Sequence, residues 1–142
     1  MIMKKFVFIL LLIAIANFRG FSQNYIGSHK LEIKKNIKEK YKDFYFSKEV
    51  MGGKHSFIKF EDYDGLRTLL FVLNDDGYCY YSILMCDYSL LKSTIDSLNK
   101  NYDYKDELMW VDYFTGKDNY SIKLKKKEWF FSVITRKYND NN

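Results

Sequence analysis

The two cysteines, Cys79 and Cys86, are the first residues whose chemistry must be considered, because they lie seven positions apart in the run YCYYSILMC. That run contains no Gly, Pro, Asn or Asp to form a turn, which favours one continuous strand. At about 3.3 Å per residue the two Cα atoms would be about 23 Å apart, whereas a disulfide needs them within about 7 Å. We therefore expect no intrachain disulfide, but two buried thiols that point to opposite faces of the strand, because their separation is odd. An intermolecular disulfide through an exposed cysteine stays an alternative.

Metal binding and catalysis have little support in the sequence. His29 and His55 are the only histidines, and neither a C-x-x-C nor an H-x-x-x-H spacing occurs. The segments DYDG at 62–65 and NDDG at 74–77 concentrate carboxylates, but they lack the twelfth-position Glu of a calcium loop and are typical of hairpin turns. The sequence contains no nucleophile elbow, P-loop or dinucleotide-binding fingerprint. We predict no catalytic residue, no metal and no cofactor, and an enzyme of unknown reaction stays an alternative.

Aromatic side chains make up 19% of the chain and are its strongest functional signal. If helices cover only one face of a sheet, the alternation of aromatic residues along the strands leaves a large apolar patch on the other face, which monomers rarely expose. Tyr and Trp are enriched at the centres of protein interfaces. The lysine-rich stretch KLKKKEWFF could bind an anionic glycan or lipid surface. The predicted binding residues are Trp110, Trp129, Tyr78, Tyr80, Tyr113, Lys125, Lys126 and Lys127.

The elements that must position these residues follow from the periodicity of the chain. Apolar residues recur at helical spacing after Ser28 (Ile33, Ile37, Tyr41, Phe44) and again after Asp87 (Tyr88, Leu91, Ile95, Leu98, Tyr102). The predicted strands are FYFSKEV, HSFIKF, RTLLFVL, YCYYSILMC, ELMWVDYF, NYSIKL and EWFFSVITRKY, joined by short turns. The order α-β4-α-β3 predicts a two-layer α+β domain: an antiparallel sheet of six to seven strands with two helices on one face.

The first 22 residues have the pattern of a cleaved secretory signal peptide. A basic start is followed by the apolar run Phe6 to Ala16 and then by small and polar residues. Eleven apolar residues are too few for a stable membrane span. No cysteine follows the run, so a lipoprotein is excluded. The final FSQ resembles the export signals of Bacteroidetes, in which Gln often opens the mature chain; this resemblance covers the leader alone and implies export without naming a functional family.

Without the leader, the chain is a moderately basic single domain. Residues 23–138 form the predicted domain and residues 139–142 a frayed tail. The loss of Lys4, Lys5 and Arg19 reduces the formal net charge from +5 to +2. Export and this low charge argue against a nucleic-acid partner. No internal repeat of convincing period is visible.

The sequence therefore predicts a small exported protein, periplasmic or secreted, that binds rather than catalyses. Its aromatic sheet face is expected to dock a protein partner or a second copy of the chain. Capture of a small apolar or glycan ligand in a pocket between sheet and helix stays open as an alternative.

Overall fold

The computed structural model describes residues 24–113 and 118–139. The predicted leader, the turn at residues 115–117 and all but the first residue of the predicted tail lie outside the described residues. Within these ranges two helices and eight strands follow one another: α1 (Lys30–Lys40), β1 (Phe44–Val50), β2 (Ser56–Asp62), β3 (Arg67–Leu73), β4 (Cys79–Cys86), α2 (Leu91–Asn101), β5 (Asp103–Asp106), β6 (Met109–Asp112), β7 (Tyr120–Lys126) and β8 (Phe131–Lys137).

The strands form one open antiparallel sheet in the order β1-β2-β3-β4-β8-β7-β6-β5. The α+β class with an antiparallel sheet is therefore confirmed. Each half of the described chain is a helix followed by four strands, and the halves meet where β4 pairs with β8. This internal similarity of arrangement was invisible in the sequence, because the two halves share neither turn lengths nor apolar pattern.

A side chain that accepts a backbone hydrogen bond stands at the start of α1 and of the short turn that precedes α2. His29 Nδ1 accepts from the Leu31 amide at 3.3 Å, so the cap of α1 lies one residue after the predicted Ser28. Asp87 accepts from the Ser89 amide at 2.9 Å and starts a 3-10 turn, Tyr88–Leu90, that leads into α2. Phe44, expected in the first helix, instead begins β1, because α1 ends at Lys40.

The core consists of two apolar clusters on the same face of the sheet. One joins Ile33 and Ile37 of α1 to strands β1–β4, and the other joins Leu98 of α2 to strands on both sides of β8. Leu84 packs against both clusters. Residues paired directly across an antiparallel ladder share a face, and the series Leu69, Leu84, Val133, Leu124 runs from one cluster to the other. We call this the helix face and the opposite side the open face.

The two cysteines lie on the same face, so the prediction that they oppose each other is wrong. Leu73 pairs with Cys79 and Val72 pairs with Tyr81, which leaves Tyr80 as an extra residue in β4. This β-bulge changes the alternation by one position and turns Cys79 toward the core, where Cys86 also lies. Both are buried free thiols, and burial raises the pKa of each to about 12. Thiols with this pKa are protonated and unreactive at neutral pH.

The first two residues of the predicted strand ELMWVDYF, Glu107 and Leu108, form the tight turn of a hairpin, and the strand β6 begins only at Met109. β5 follows α2 directly, and Glu107 and Leu108 then turn the chain into β6 with positive φ values of 46° and 59°. Two consecutive positive φ values are typical of a type I′ hairpin turn, in which Asn and Gly are the favoured residues. Neither Glu107 nor Leu108 is a usual turn residue, so six to seven strands were expected, whereas the described residues form eight.

The strained turn leads to a first testable expectation. Asn adopts a left-handed backbone conformation more easily than Glu, so Glu107→Asn should raise the free energy of unfolding by about 0.5 kcal/mol. Glu107 is exposed, and the change removes no core contact. Urea unfolding followed by far-UV circular dichroism measures the effect. A variant less stable than the wild type would show that the turn is not strained at this residue.

The chain before α1 is attached to the sheet by backbone hydrogen bonds. The Gly27 amide donates to the Cys79 carbonyl at 2.7 Å, and the Cys79 amide donates to the Ser28 carbonyl at 2.9 Å. Tyr25 is buried, and its ring lies 5.4 Å from that of Phe71. The folded domain therefore includes the residues that directly precede the first helix.

Candidate binding surface

The open face is the largest surface of the sheet that no described helix covers. Side chains alternate between the two faces of a strand, so in β1–β4, β8 and β7 the residues between the core positions lie on the open face. These residues are Tyr45, Lys48, Val50, Phe57, Lys59, Glu61, Thr68, Leu70, Val72, Tyr81, Ile83, Met85, Ser132, Ile134, Arg136, Ser121, Lys123 and Lys125.

The centre of the open face is apolar. Leu70 pairs with Ile83, and Ile83 pairs in turn with Ile134, so that three branched side chains lie side by side across β3, β4 and β8. All three are half-buried, and the adjacent Val72 is only 6% exposed. No described helix covers them, because Ile33 and Ile37 of α1 and Leu98 of α2 belong to the core clusters of the helix face. The stripe is a continuous apolar surface that solvent still reaches.

Cations flank the apolar stripe on both sides. Lys48 lies on β1, while Lys123 and Arg136 lie on β7 and β8 beyond the stripe. Among the described residues none of the three is ion-paired with a carboxylate; Lys48 Nζ lies 5.7 Å from the centre of the Phe57 ring, and Arg136 Cζ lies 5.8 Å from that of Tyr81. Cations over aromatic rings keep their charge available to a partner.

One carboxylate, Glu61, lies among these cations in the described part of the six strands. It is paired with Lys59 at 2.8 Å and accepts a hydrogen bond from the Tyr45 hydroxyl at 3.2 Å. The hydrogen bond from Lys59 lowers the pKa of Glu61. Glu61 thus neutralises Lys59 and leaves Lys48, Lys123, Lys125 and Arg136 as net positive charge.

Trp110, a predicted binding residue, lies in the core. Its side chain is 1% exposed, and its Nε1 donates to Asn99 Oδ1 of α2 at 2.8 Å. The Tyr104 ring contacts it at 5.3 Å between centroids. Trp110 pairs with Ile122 on the helix face, so it cannot touch a partner on the open face. The indole nitrogen and the buried ring instead fasten α2 to the sheet.

The other predicted residues are exposed but do not form one site. Tyr80, in the bulge, contacts Tyr81 of the open face at 4.8 Å between centroids. Tyr78 precedes β4 and packs against His29, with 5.1 Å between centroids, at the start of α1. Tyr113 follows β6, where Lys105 Nζ lies 5.2 Å from its ring centre. Of the remaining four, Lys125 and Lys126 end β7, and Lys127 and Trp129 lie in the turn between β7 and β8.

The sequence-based prediction missed the aliphatic and cationic members of the open face. Ile83, Ile134, Lys48, Lys123 and Arg136 become neighbours only through the pairing of β4 with β8, which local patterns do not specify. The available signal was alternation, since Ile134 and Arg136 share a face of β8 by their spacing of two.

In both acidic segments a side-chain oxygen, from Asp62 in the first and from Asn74 in the second, accepts backbone hydrogen bonds of its own turn. Asp62 accepts hydrogen bonds from the amides of Leu66 at 2.9 Å and Arg67 at 3.0 Å, and from Arg67 Nε at 3.0 Å. Burial raises the pKa of Asp62, but the hydrogen bonds from Arg67 and Leu66 outweigh burial and hold it below its usual value. In the second turn, Asn74 Oδ1 accepts from the amides of Asp76 and Tyr78.

The described residues, 24–113 and 118–139, contain neither a metal-binding cluster nor a membrane-spanning helix. No group of three or more His, Cys, Asp or Glu side chains there could hold a metal ion. No helix in the same ranges has the length and apolar character needed to cross a membrane.

No family model, no curated protein and no solved structure matches this chain.

Proposed function

We propose that this protein is a non-catalytic binding module whose open face docks a protein partner with an acidic, partly apolar surface. The observation that carries the proposal is the solvent-accessible apolar stripe of Leu70, Ile83 and Ile134, flanked by cations that pair with no carboxylate of the described residues. The proposal rests on the two-layer arrangement in which both helices cover the helix face. We further propose that the protein acts after export, as its leader indicates.

The dimensions of the open face suit a protein rather than a small molecule. Six strands about 4.8 Å apart and seven residues long at about 3.3 Å per residue give about 29 Å by about 23 Å. The flat area of this face is roughly 650 Å², without the additional surface of the side chains. It is close to the roughly 800 Å² that each partner contributes to an interface of standard size. An apolar centre within a charged rim is also the usual composition of such an interface.

The charges favour a different protein over a second copy of this chain. If two copies stacked through their open faces, Lys48, Lys123 and Arg136 of one copy would approach the same cations of the other. On the open face of the six strands, Glu61 is the one carboxylate among the described residues, and it is already paired with Lys59. Like charges brought together at an interface cost affinity and select against the wrong partner. A partner that presents Asp and Glu around an apolar centre avoids this repulsion.

The test compares proteins captured from the native envelope by the wild type and by matched variants. Lys123→Glu combined with Arg136→Glu reverses the charge of the open face, while Lys35→Glu combined with Lys38→Glu makes the same change on the exposed side of α1. We expect at least one acidic protein to be captured by the wild type and the α1 variant but lost from the open-face variant, and its capture to weaken as salt rises.

Two results would contradict the proposal. One is a set of captured proteins that does not differ between the two charge reversals. The other is a stable dimer of the purified protein, measured by size exclusion with light scattering, that Ile134→Asp converts to a monomer. That result would assign the open face to self-association.

A further inference from the structure

A second surface lies at the end of the sheet, apart from the open face. The turn between β7 and β8, residues 126–130, carries Trp129 with 80% of its side chain exposed and Phe130 with 37%. We call this segment the β7–β8 tip. Trp129 has the largest exposed fraction among the large apolar side chains that the structure describes. Exposure of a Trp to this extent serves no purpose in the fold, because the ring contributes almost nothing to the core.

The tip is held in place by the rest of the domain. The Lys127 amide donates to the Phe130 carbonyl at 2.9 Å and closes the turn. The Tyr88 hydroxyl donates to the Lys127 carbonyl, and the Tyr88 ring packs against Phe131 with 5.8 Å between centroids. The 3-10 turn before α2 therefore supports the tip, and Trp129 projects from a fixed position.

A second exposed aromatic residue projects from the same end of the sheet. Tyr63, in the turn between β2 and β3, is 73% exposed. Arg67 pairs with Cys86, and Cys86 pairs with Phe131. The β2–β3 and β7–β8 turns therefore lie side by side at the same end of the sheet. Three strand spacings separate them, which is about 14 Å. Two aromatic side chains at this spacing can reach one plane at the same time.

Cations surround the tip. Lys126 and Lys127 directly precede Glu128 and Trp129, and Lys125, a residue of the open face, directly precedes Lys126. All three lysines are exposed, and none is ion-paired with a carboxylate in the ranges that the structure describes. A Trp beside lysines is typical of residues at a bilayer interface, where the ring lies among the headgroups and the ammonium groups bind lipid phosphates.

We propose that the β7–β8 tip, together with Tyr63, binds the surface of an anionic lipid bilayer. Trp129 and Phe130 enter the headgroup region, and Lys126 and Lys127 bind the phosphates of acidic lipids. A narrow projecting turn fits a deformable lipid surface better than a protein, because protein interfaces concentrate their binding energy in broad, well-packed patches. With the strands standing on the membrane end-on, the open face remains accessible from the side.

Tryptophan fluorescence can test this proposal, because the two Trp residues differ in exposure. Trp110 is buried and hydrogen-bonded, so a change on addition of vesicles reports Trp129. Vesicles of equal parts phosphatidylglycerol and phosphatidylcholine should shift the emission to the blue and carry the protein down on sedimentation. Vesicles of phosphatidylcholine alone should do neither, and added salt should release the protein.

Variants then assign the binding to the tip. Trp129→Ala should remove most of the sedimentation with anionic vesicles, and Trp129→Phe should keep much of it. Lys126→Gln combined with Lys127→Gln should weaken binding by about 25-fold, on the basis of about fivefold for each lysine. Lys35→Gln combined with Lys38→Gln is the matched control on α1 and should bind like the wild type.

Three results would overturn the proposal. These are an absence of binding to anionic vesicles at low salt, binding that Trp129→Ala leaves unchanged, or equal losses from the tip and the α1 variants. A blue shift with a soluble sulfated polysaccharide but not with vesicles would equally assign the tip to a glycan. None of these variants touches Lys123 or Arg136, so failure here is distinct from failure of the open-face proposal.

Discussion

Trp110→Ala is expected to lower the free energy of unfolding by about 4 kcal/mol, whereas Trp129→Ala should change it by less than about 0.5 kcal/mol. The two residues are the same type of side chain in opposite surroundings. Trp110 is buried between β6 and α2, and its removal leaves a cavity and an Asn99 side chain without its indole donor. Trp129 stands in solvent, so its removal costs the fold almost nothing.

Urea unfolding of both variants, followed by far-UV circular dichroism, measures this difference. Trp110→Phe is a useful intermediate, because it keeps most of the apolar volume but loses the hydrogen bond to Asn99. Its expected stability lies between those of the wild type and Trp110→Ala. If Trp110→Ala were as stable as the wild type, α2 could not be packed on the sheet as described.

Asp62→Ala should destabilise the protein by about 3 kcal/mol. The Asp62 side chain is buried and binds two amides and the Arg67 guanidinium, which itself packs at 4.8 Å from the Phe44 ring. Loss of the carboxylate leaves two amides and a half-buried cation without their acceptor, a change that costs about 3–5 kcal/mol for fully buried pairs. Part of this cost is recovered, because Arg67 also contacts exposed Asp43. The matched control is Asp64→Ala in the same turn, which is exposed and should be neutral.

The same carboxylate should make stability depend on pH. The pKa of Asp62 is lower in the folded state than in the unfolded state, so its contribution is present above the unfolded pKa of about 3.9 and is lost as pH falls through the folded pKa. Wild-type stability should therefore fall below about pH 4 more steeply than that of Asp62→Asn, which cannot titrate at this position. The urea midpoint of each protein is measured as a function of pH. If the midpoints of the wild type and Asp62→Asn fell equally as pH is lowered, Asp62 would not be stabilised as a carboxylate.

Local sequence patterns were sufficient for the elements with regular periodicity. The segments FYFSKEV and RTLLFVL coincide with β1 and β3, because each is rich in β-branched and aromatic residues and ends at a Gly-containing or Asp-containing turn. Features without a local signal were missed. The Glu107–Leu108 turn contains no Gly or Asn, and nothing in YCYYSILMC marks Tyr80 as the bulged residue.

The candidate site depended on information that the sequence does not display. The open face is assembled by the pairing of β4 with β8, so its central stripe combines residues from distant parts of the chain. Aromatic content identified Trp129 and Tyr80 as exposed residues but equally selected Trp110, because a Trp in a short strand has the same local pattern whether it faces solvent or a helix. Only the position of α2 distinguishes these cases.

The junction between the two halves of the sheet also has a consequence for how the chain folds. Every other ladder joins strands that are adjacent along the chain, but β4 and β8 pair residues that are 45 to 55 positions apart, from Cys86 with Phe131 to Tyr81 with Arg136. Local hairpins close short loops and form quickly, whereas a distant pairing must first overcome a larger loss of chain entropy. We therefore expect the junction to form in the slow step of folding, and the open face is complete only once β4 and β8 have paired.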